Sequence, residues 1–192
     1  MNILLLGPER PKLINYLSSL GDTIANTKDP LTNEMLDGVD FIISYGYRYI
    51  IRKDVIDQFR NRAINLHISL LPWNRGADPN LWSFLEDTPK GVTIHLLDYG
   101  IDTGDILVQR QIFYEPHDTL RTSYQRLSDA IEELFIEYWP DIRSGNIKAK
   151  PQPPGGSFHR LKDKERYLHL LVDGWDTPVS LLIGKALTRK ES

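Results

Sequence analysis

The sequence contains no cysteine. This absence excludes disulfide bonds, metal sites built from thiolates and a catalytic cysteine nucleophile. Long apolar runs are also missing, because no stretch approaches the roughly 20 apolar residues that a helix needs to cross a bilayer. The amino terminus has no basic leader, and we interpret it as a first core strand rather than a signal peptide. We therefore expect a cytoplasmic protein without a membrane partner.

The chain also has no large excess of charge of either sign. Its formal net charge is −3 at pH 7 over 192 residues, which does not predict a nucleic-acid-binding surface, although a local basic loop is compatible with this total. Charged residues make up 26% and hydrophobic residues 41% of the chain, which are ordinary proportions for a globular protein. The length predicts one domain with room for a small terminal appendage.

Two common site motifs are missing as well. The turn at residues 7–11 reads GPERP, with one glycine and two prolines where a dinucleotide-binding loop needs bare backbone amides. This departure disfavours a dinucleotide-dependent enzyme. His67, His95 and Asp102 carry side chains that can bind metals, but they lack the close spacing of a zinc site. We therefore predict a site without a metal.

Short apolar runs alternate with helical patterns along most of the chain. Strands are predicted at residues 2–6, 41–45, 63–67, 91–97 and 106–112. Strand–helix alternation is typical of a parallel α/β sheet, so the expected fold is a Rossmann-like, mostly parallel sheet flanked by helices. The last two strands are separated by a short loop and are expected to form an antiparallel hairpin. The longest helix should begin near Asp118 or Thr119, and Pro140 should bend or end it.

Proline and glycine concentrate near residue 150, at Pro151, Pro153, Pro154, Gly155 and Gly156. This composition is typical of a linker. It predicts a main domain at residues 1–148, a linker at 149–157 and a short helical tail at 158–192.

Polar side chains end one of the predicted strands. Asn65 and His67 close the apolar run at 63–67, and residues two apart in a strand point to the same face. A Gly-rich stretch after the strand at 91–97 then brings Asp102. Since ligands of an open α/β sheet bind at the carboxyl ends of its strands, two polar loops leaving two apolar strands would line such a crevice.

Each of these residues has an ordinary structural explanation when taken alone. A histidine in a strand is commonly structural, and an aspartate in a Gly-rich turn commonly bonds its own backbone. Asn65, His67 and Asp102 together are a candidate catalytic site. His95 lies inside an apolar strand and is interpreted as a core histidine. The alternating tyrosines at 45, 47 and 49 fit either strand packing or a wall for a flat ligand.

Taken together, several segments resemble the formyltransferase family that uses 10-formyltetrahydrofolate. The resemblance is carried by NLHISLLP at 65–72, Arg75-Gly76 with Pro79, GVTIH at 91–95 and GIDTGDIL at 100–107. It implies that Asn65, His67 and Asp102 are catalytic, that 10-formyltetrahydrofolate is the co-substrate and that no metal is needed. It places the folate-binding residues at Tyr47, Tyr49, Ile51, Leu70, Leu71, Pro72, Asp98, Tyr99 and Gly100.

The resemblance also bears on the amine that accepts the formyl group. Methionyl-tRNA formyltransferases have a further carboxyl-terminal domain, whereas 35 residues follow the predicted linker here. Glycinamide ribonucleotide formyltransferases have a glycine-rich first loop that residues 7–10 do not match. The formylation domains of peptide synthetases are similar around residues 44–47 and 71–74 but belong to much larger chains.

The family comparison therefore favours a free-standing enzyme acting on an amino-sugar nucleotide of the TDP-4-amino-4,6-dideoxyhexose type. Formylation of an aminoacyl group, on a carrier protein or on methionyl-tRNA, and a folate-binding module without catalysis are the alternatives. The acceptor is expected against Trp73, Arg75 and Trp82. Arg75 is the candidate for a pyrophosphate contact, with a solvated arginine as the alternative. The tryptophans either stack on a base or pack. No nucleic-acid partner is expected, and a homodimer is left open.

Overall fold

The computed structural model describes residues 1–187. Its strands are β1 (Asn2–Leu6), β2 (Thr23–Thr27), β3 (Phe41–Ser44), β4 (Ala63–His67), β5 (Arg75–Gly76), β6 (Gly91–Leu96), β7 (Ile106–Gln111) and β8 (Phe158–His159). Its α-helices are α1 (Pro11–Ser19), α2 (Lys53–Gln58), α3 (Pro79–Leu85) and α4 (Leu120–Arg143). Short 3-10 helices are found at Glu34–Leu36, Leu161–Leu170, Gly174–Asp176 and Val179–Leu181.

Contacts group the chain into two compact units. The first comprises Met1–His67, Thr93–Val108 and Ile131–Gln152, and the second comprises Ile68–Val92, Gln109–Ala130 and the chain from Pro153 onward. The predicted linker is thus divided between the units after Gln152. The predicted boundaries at 148 and 157 stay a prediction.

The main sheet has six strands in the order β2-β1-β3-β4-β6-β7. β1 pairs in parallel with β2 and β3, and β3 pairs in parallel with β4. Ile3–Leu6 and all of β3 are buried, as expected for strands that are covered by helices on both faces. The Rossmann-like, mostly parallel sheet that the sequence predicts is confirmed.

The direction of β6 differs from the prediction. It pairs antiparallel with β4, with Asn65 opposite His95 and His67 opposite Thr93. β6 and β7 then form the expected hairpin, since Leu96 N donates to Asp105 O and, at the other end, Ile112 N donates to Lys90 O. The prediction that β4 and β6 open their carboxyl ends onto the same crevice is therefore wrong.

Helices cover the sheet of the first unit. Val55 of α2 packs in one apolar cluster with Leu4, Ile42, Phe59 and Ala63. Leu13 and Leu17 of α1 are fully buried, as are Ile131, Phe135 and Trp139 of α4. This burial follows from the apolar stripe that each helix carries at a spacing of three and four residues.

The longest helix continues past its internal proline. Thr119 Oγ1 accepts a hydrogen bond from Thr122 N at 3.3 Å and caps the amino terminus. Pro140 has no N–H to give to the carbonyl of Ile136, four residues earlier. Tyr16 Oη donates to that carbonyl at 3.1 Å, so the helix extends to Arg143 with this acceptor satisfied.

The second unit has its own core, to which the carboxyl-terminal segment contributes. Residues 80–85 of α3 are all buried. The four apolar residues among them, Leu81, Trp82, Phe84 and Leu85, form a cluster with Leu120, Val179 and Leu182. Gly184 N donates to Phe84 O, and Val179 N donates to Asp118 O. Within the described range the tail forms 3-10 turns rather than α-helices, since Gly174, Pro178 and Gly184 interrupt it. The last five residues of the predicted tail lie outside the described residues.

None of the helices within residues 1–187 combines the length and apolar character needed to span a bilayer.

Trp139 is expected to be a major stabilising residue of the first unit. Its ring is fully buried, lies edge-on to Phe41 at 5.0 Å and stacks on Phe135 at 5.0 Å between centroids. Trp139→Ala should lower the free energy of unfolding by about 3–5 kcal/mol, because it removes these contacts and leaves a cavity. Urea denaturation measures this loss. Trp175→Ala is the control, since that ring is 52% exposed, and an equal loss in both variants would contradict the assignment.

Candidate functional site

Strand β4 carries two of the three predicted catalytic residues to the carboxyl edge of the parallel strands. Leu6 is the register partner of Ser44, and Ser44 is the partner of Asn65. Asn65 therefore lies in one row with the last residues of β1 and β3. His67 follows two residues later, on the same face of the strand, with its side chain only 8% exposed.

Asp102 lies on the loop that follows β6. Because β6 is antiparallel to β4, it delivers the chain to the opposite end of β4, and the loop at residues 97–105 extends from there to bring the Asp102 carboxylate to Asn65 and His67. Asp98 holds the loop, since its carboxylate accepts from Thr103 Oγ1 at 2.7 Å and from Gly100 N at 3.1 Å. Asp102 itself has a left-handed backbone with φ of 54°, a conformation that aspartate tolerates better than most residues.

Gly104 brings the end of this loop close to β6. A Cβ atom built there would lie 1.8 Å from Leu96 O and 2.8 Å from Leu96 C. These are main-chain atoms, so the approach requires glycine.

The three predicted catalytic side chains meet in the first unit. Asn65 Nδ2 donates to Asp102 Oδ1 at 3.0 Å. His67 Nδ1 lies 3.7 Å from Asp102 Oδ2, which is an ion-pair distance when the imidazole is charged and longer than a hydrogen bond. The Asp102 side chain is 11% exposed. The geometry thus brings an amide donor and an imidazole to one largely buried carboxylate.

A fourth residue joins this group, although the sequence indicated only a core role for it. His95 is 1% exposed, and its Nε2 lies 3.4 Å from Asp102 Oδ1 and 3.3 Å from Asn65 Nδ2. Its Nδ1 is 2.8 Å from Leu96 O. A carbonyl only accepts, so Nδ1 carries the hydrogen and Nε2 of the neutral ring is an acceptor.

The Asn65 amide nitrogen contacts two neighbours. Its Nδ2 donates to Asp102 Oδ1 at 3.0 Å and lies 3.3 Å from His95 Nε2. Both contacts restrict the orientation of the amide. No local sequence pattern indicated this role for His95. Its position opposite Asn65 follows from the antiparallel pairing of β4 and β6.

The predicted folate-binding residues of the first unit lie on its loops. The rings of Tyr47 and Tyr49 are 5.6 Å apart between centroids, and Tyr47 Oη donates to Asp29 O. Tyr99 is exposed and donates to Asp57 Oδ1. That hydrogen bond to a carboxylate raises the pKa of Tyr99. Gly100 is exposed as well, and Ile51 and Asp98 are half-buried.

The remaining predicted residues belong to the second unit. Leu71 and Pro72 are buried, Leu70 is half-buried, and Leu71 O accepts from Gln109 Nε2 at 2.7 Å. Trp73 is 36% exposed.

Arg75 and Trp82 differ in accessibility from Trp73. Arg75 is half-buried, and its guanidinium donates to Gly155 O at 3.3 Å. Trp82 is 3% exposed and stacks on His159, with 3.7 Å between ring centroids. Of the two alternatives open for Trp82, packing is therefore the one its surroundings match.

His67, His95 and Asp102 carry side chains that can bind metals. Among residues 1–187 there is no group of three or more His, Cys, Asp or Glu side chains arranged to hold a metal ion.

Comparison with known proteins places this site in a family. The formyl transferase model matches residues 27–138. The structure of the formyltransferase PseJ from Anoxybacillus kamchatkensis, in complex with UDP-4,6-dideoxy-4-formamido-L-AltNAc and tetrahydrofolate, is 63% identical with a TM-score of 0.95. The match covers 97% of this chain and 100% of that one.

Curated relatives are longer than this chain. The dTDP-4-amino-4,6-dideoxyglucose formyltransferase of Mycobacterium tuberculosis is 32% identical over 71% of this chain and 58% of its own length. A methionyl-tRNA formyltransferase of Prochlorococcus marinus is 43% identical over 54% of this chain and 32% of its own length. The matched part of the chain thus corresponds to 32% of one of these relatives and 58% of the other. The matched family model covers more than half of the chain, which therefore belongs to the formyl transferase family.

Proposed function

We propose that this protein transfers the formyl group of 10-formyltetrahydrofolate to the primary amine of a UDP-linked 4-amino-4,6-dideoxy sugar. The observation that carries the proposal is the 63% identity to a formyltransferase bound to such a formylated UDP-sugar and tetrahydrofolate, over nearly the whole of both chains. The grouping of Asn65, His67 and Asp102 around one carboxylate supports it.

The nucleoside is the one point at which this proposal differs from the TDP-linked type that the sequence favoured. The sugar class is the same, a 4-amino-4,6-dideoxyhexose linked to a nucleotide. Uridine is proposed because the relative with 63% identity binds a UDP-sugar, whereas the mycobacterial dTDP-sugar enzyme is 32% identical.

The reaction forms a bond from the amine nitrogen to the formyl carbon and breaks the bond from that carbon to the folate nitrogen. Negative charge develops on the formyl oxygen as the amine attacks. We propose that Asn65 donates to this oxygen by exchanging its longer contact with His95, at 3.3 Å, for the substrate. Charged His67 donates a second hydrogen bond. Each such donor is commonly worth about 100- to 1000-fold in turnover.

Asp102 serves the other half of the reaction. The attacking amine must lose a proton, and Asp102 accepts it directly or through water. The same carboxylate orients Asn65 and lies 3.7 Å from His67 Nδ1. The proton is returned to the folate nitrogen as that nitrogen leaves. No covalent intermediate with the protein is required, in keeping with a chain that contains no cysteine.

Binding roles are proposed for the loops of the first unit. Tyr47, Tyr49 and Tyr99 offer flat apolar rings to the pterin and benzoyl groups of the folate. Ile51, Asp98 and Gly100 lie on the same two loops. The roles predicted for Leu70, Leu71, Pro72, Trp73, Arg75 and Trp82 stay predictions. So do the cytoplasmic location and the homodimer.

A panel of acceptors tests the proposal. The protein is mixed with 10-formyltetrahydrofolate and either a UDP-linked 4-amino-4,6-dideoxy sugar, its TDP counterpart, methionyl-tRNA or an aminoacyl carrier protein, and release of tetrahydrofolate is followed. A UDP-sugar without a free amine is the matched control. We expect turnover with the UDP-linked amine at a kcat/KM at least about tenfold above that of the others.

Other results would point elsewhere. Turnover with methionyl-tRNA or the carrier protein but with neither sugar would replace the proposed acceptor. Folate binding without turnover of any amine would indicate a binding module that has lost catalysis.

His95 is predicted to matter to this reaction through its neighbours. His95→Leu should lower kcat about tenfold or more, because it removes the ring that holds the Asn65 amide in place before the substrate binds and that is a polar neighbour of Asp102 throughout. His95→Gln should lose less, since its side-chain oxygen can accept from Asn65. Steady-state kinetics of both variants measure the difference. Equal losses in the two variants would show that the residue only fills space.

A further inference from the structure

Gln152 lies in the Pro/Gly-rich stretch that the sequence assigns to a linker. Its side chain nevertheless contacts the loop at residues 97–105 that carries Asp102, here called the Asp102 loop. Its Nε2 donates to Asp102 O at 2.7 Å and to Gly104 O at 2.9 Å. Both acceptors are main-chain carbonyls, one on the proposed catalytic residue and one two residues beyond it. Gln152 belongs to the first unit, together with Asp102 and Gly104.

Main-chain pairing sets this contact. Ile106 and Lys150 form an antiparallel bridge, in which each N–H donates to the other's carbonyl at 2.7 and 2.9 Å. Continuing this register by two residues in each direction puts Gln152 opposite Gly104. The segment that ends at Gln152 is therefore held beside the end of the Asp102 loop by a single β-bridge.

The contact requires a hydrogen-bond donor, which is the amide NH2 of Gln152. Only a donor can lie within hydrogen-bond distance of two carbonyl oxygens, so the orientation of the amide is set by its partners. Its Oε1 is buried and makes no hydrogen bond among the described residues. An unsatisfied buried acceptor is unfavourable. The two bonds from Nε2 are therefore the contribution that this side chain makes.

The Asp102 loop contains a residue in an unfavourable backbone conformation. Asp102 has a φ of 54°, which costs conformational energy for a residue other than glycine and persists only where the surroundings enforce it. Asp98 fixes the start of the loop through Thr103 and Gly100. Gln152 fixes the carbonyls on either side of Thr103. Its bond to Asp102 O acts on the peptide unit whose orientation sets where the carboxylate lies.

We propose that Gln152 is a positioning residue, which holds the Asp102 loop so that the carboxylate meets Asn65 and His67. The expected effect on kcat rests on the proposed function. The expected effect on the order of the loop rests on the geometry of the first unit. Gln152 acts through Asp102, so its loss should reduce the fraction of molecules with a competent site. That change lowers kcat more than it changes either KM.

Three variants test this inference. Gln152→Ala removes both hydrogen bonds, and kcat should fall about tenfold or more, with each KM changed less than about threefold. Gln152→Glu should be at least as impaired at neutral pH, because a carboxylate is repelled by two carbonyl oxygens. Its protonated form regains one donor, so its rate relative to the unsubstituted protein should rise as the pH falls. Gln125→Ala is the matched control, since Gln125 is exposed and its amide donates to Asp129 Oδ1 on the surface of α4.

A second readout does not depend on activity. Hydrogen exchange followed by mass spectrometry should show faster exchange in the peptide covering residues 98–105 of Gln152→Ala, and unchanged exchange in Gln125→Ala. If the unsubstituted protein formylates no amine while this local change is present, the proposed function has failed and the positioning contact stands.

Two results would overturn the inference. One is a Gln152→Ala protein whose kcat stays within twofold of the unsubstituted protein. The other is unchanged exchange in residues 98–105. If Gln152→Ala does not fold, Gln152→Glu decides alone: a rise in its relative rate at acidic pH supports the positioning role, and a ratio that is independent of pH refutes it.

Discussion

His67→Ala and Asp102→Asn are each expected to lower kcat by about two or more orders of magnitude, while the Kd for folate changes far less. In the proposed mechanism, both side chains act on charge that appears only as the amine attacks. His67 would stabilise negative charge on the formyl oxygen, and Asp102 would take the proton that leaves the amine. Neither charge exists in the bound ground state, so the Kd for folate should change little. His67→Asn should be nearly as impaired as His67→Ala, since it restores a donor without a positive charge.

Separate measurement of kcat and of folate binding for the three variants checks this result. His117→Ala is the matched control, because His117 is exposed and should leave both quantities unchanged. Near-normal turnover in His67→Ala would remove the imidazole from the mechanism. A parallel loss of folate affinity would instead assign these side chains to binding.

Two substitutions of Asn65 are expected to show whether its side chain acts as a hydrogen-bond donor or only fills space. Asn65→Leu removes the amide donor at nearly constant size and should lower kcat about 100- to 1000-fold. Asn65→Asp is closer in shape but should be worse. Its carboxylate would replace an amide nitrogen that lies 3.0 Å from Asp102 Oδ1, so two negative charges would compete for one site. It would also place an acceptor where the formyl oxygen needs a donor.

Turnover and thermal stability of both Asn65 variants test this order. The loss of kcat should be larger in Asn65→Asp, although it is the more conservative change in shape. More activity in Asn65→Asp than in Asn65→Leu would mean that the residue contributes shape rather than a hydrogen-bond donor. The proposed stabilisation of the formyl oxygen would then rest on His67.

Local patterns were sufficient where one strand carries the information. The apolar run that ends at Asn65 and His67 predicts β4, and the alternation of side chains along a strand places both residues on one face. The same reasoning identified β1 and β3, whose continuous apolar runs suit strands buried on both faces. Asp102 was found through the family resemblance as well as its place in a polar loop.

Partners from distant parts of the chain were not predictable in this way. His95 has the alternation of a core residue, and only its pairing opposite Asn65 in β6 brings it to the carboxylate. Gln152 lies in a segment whose proline and glycine content indicates a linker. Trp82 stacks on His159, which lies in a distant segment that no local pattern connects with it.

The sequence by itself determined the class of fold, the strand that presents Asn65 and His67, and the family. These depend on the order of residues along a short segment, since burial and side-chain alternation repeat within a few positions. Tertiary structure alone decided that β6 is antiparallel to β4 and that the loop at residues 97–105 brings the Asp102 carboxylate to Asn65 and His67. It also decided that His95 lies beside this carboxylate and that Gln152 donates to the main chain of the loop. The direction of a strand and the path of a loop depend on hydrogen bonds between segments tens of residues apart. Such pairings produce no periodic pattern in the sequence.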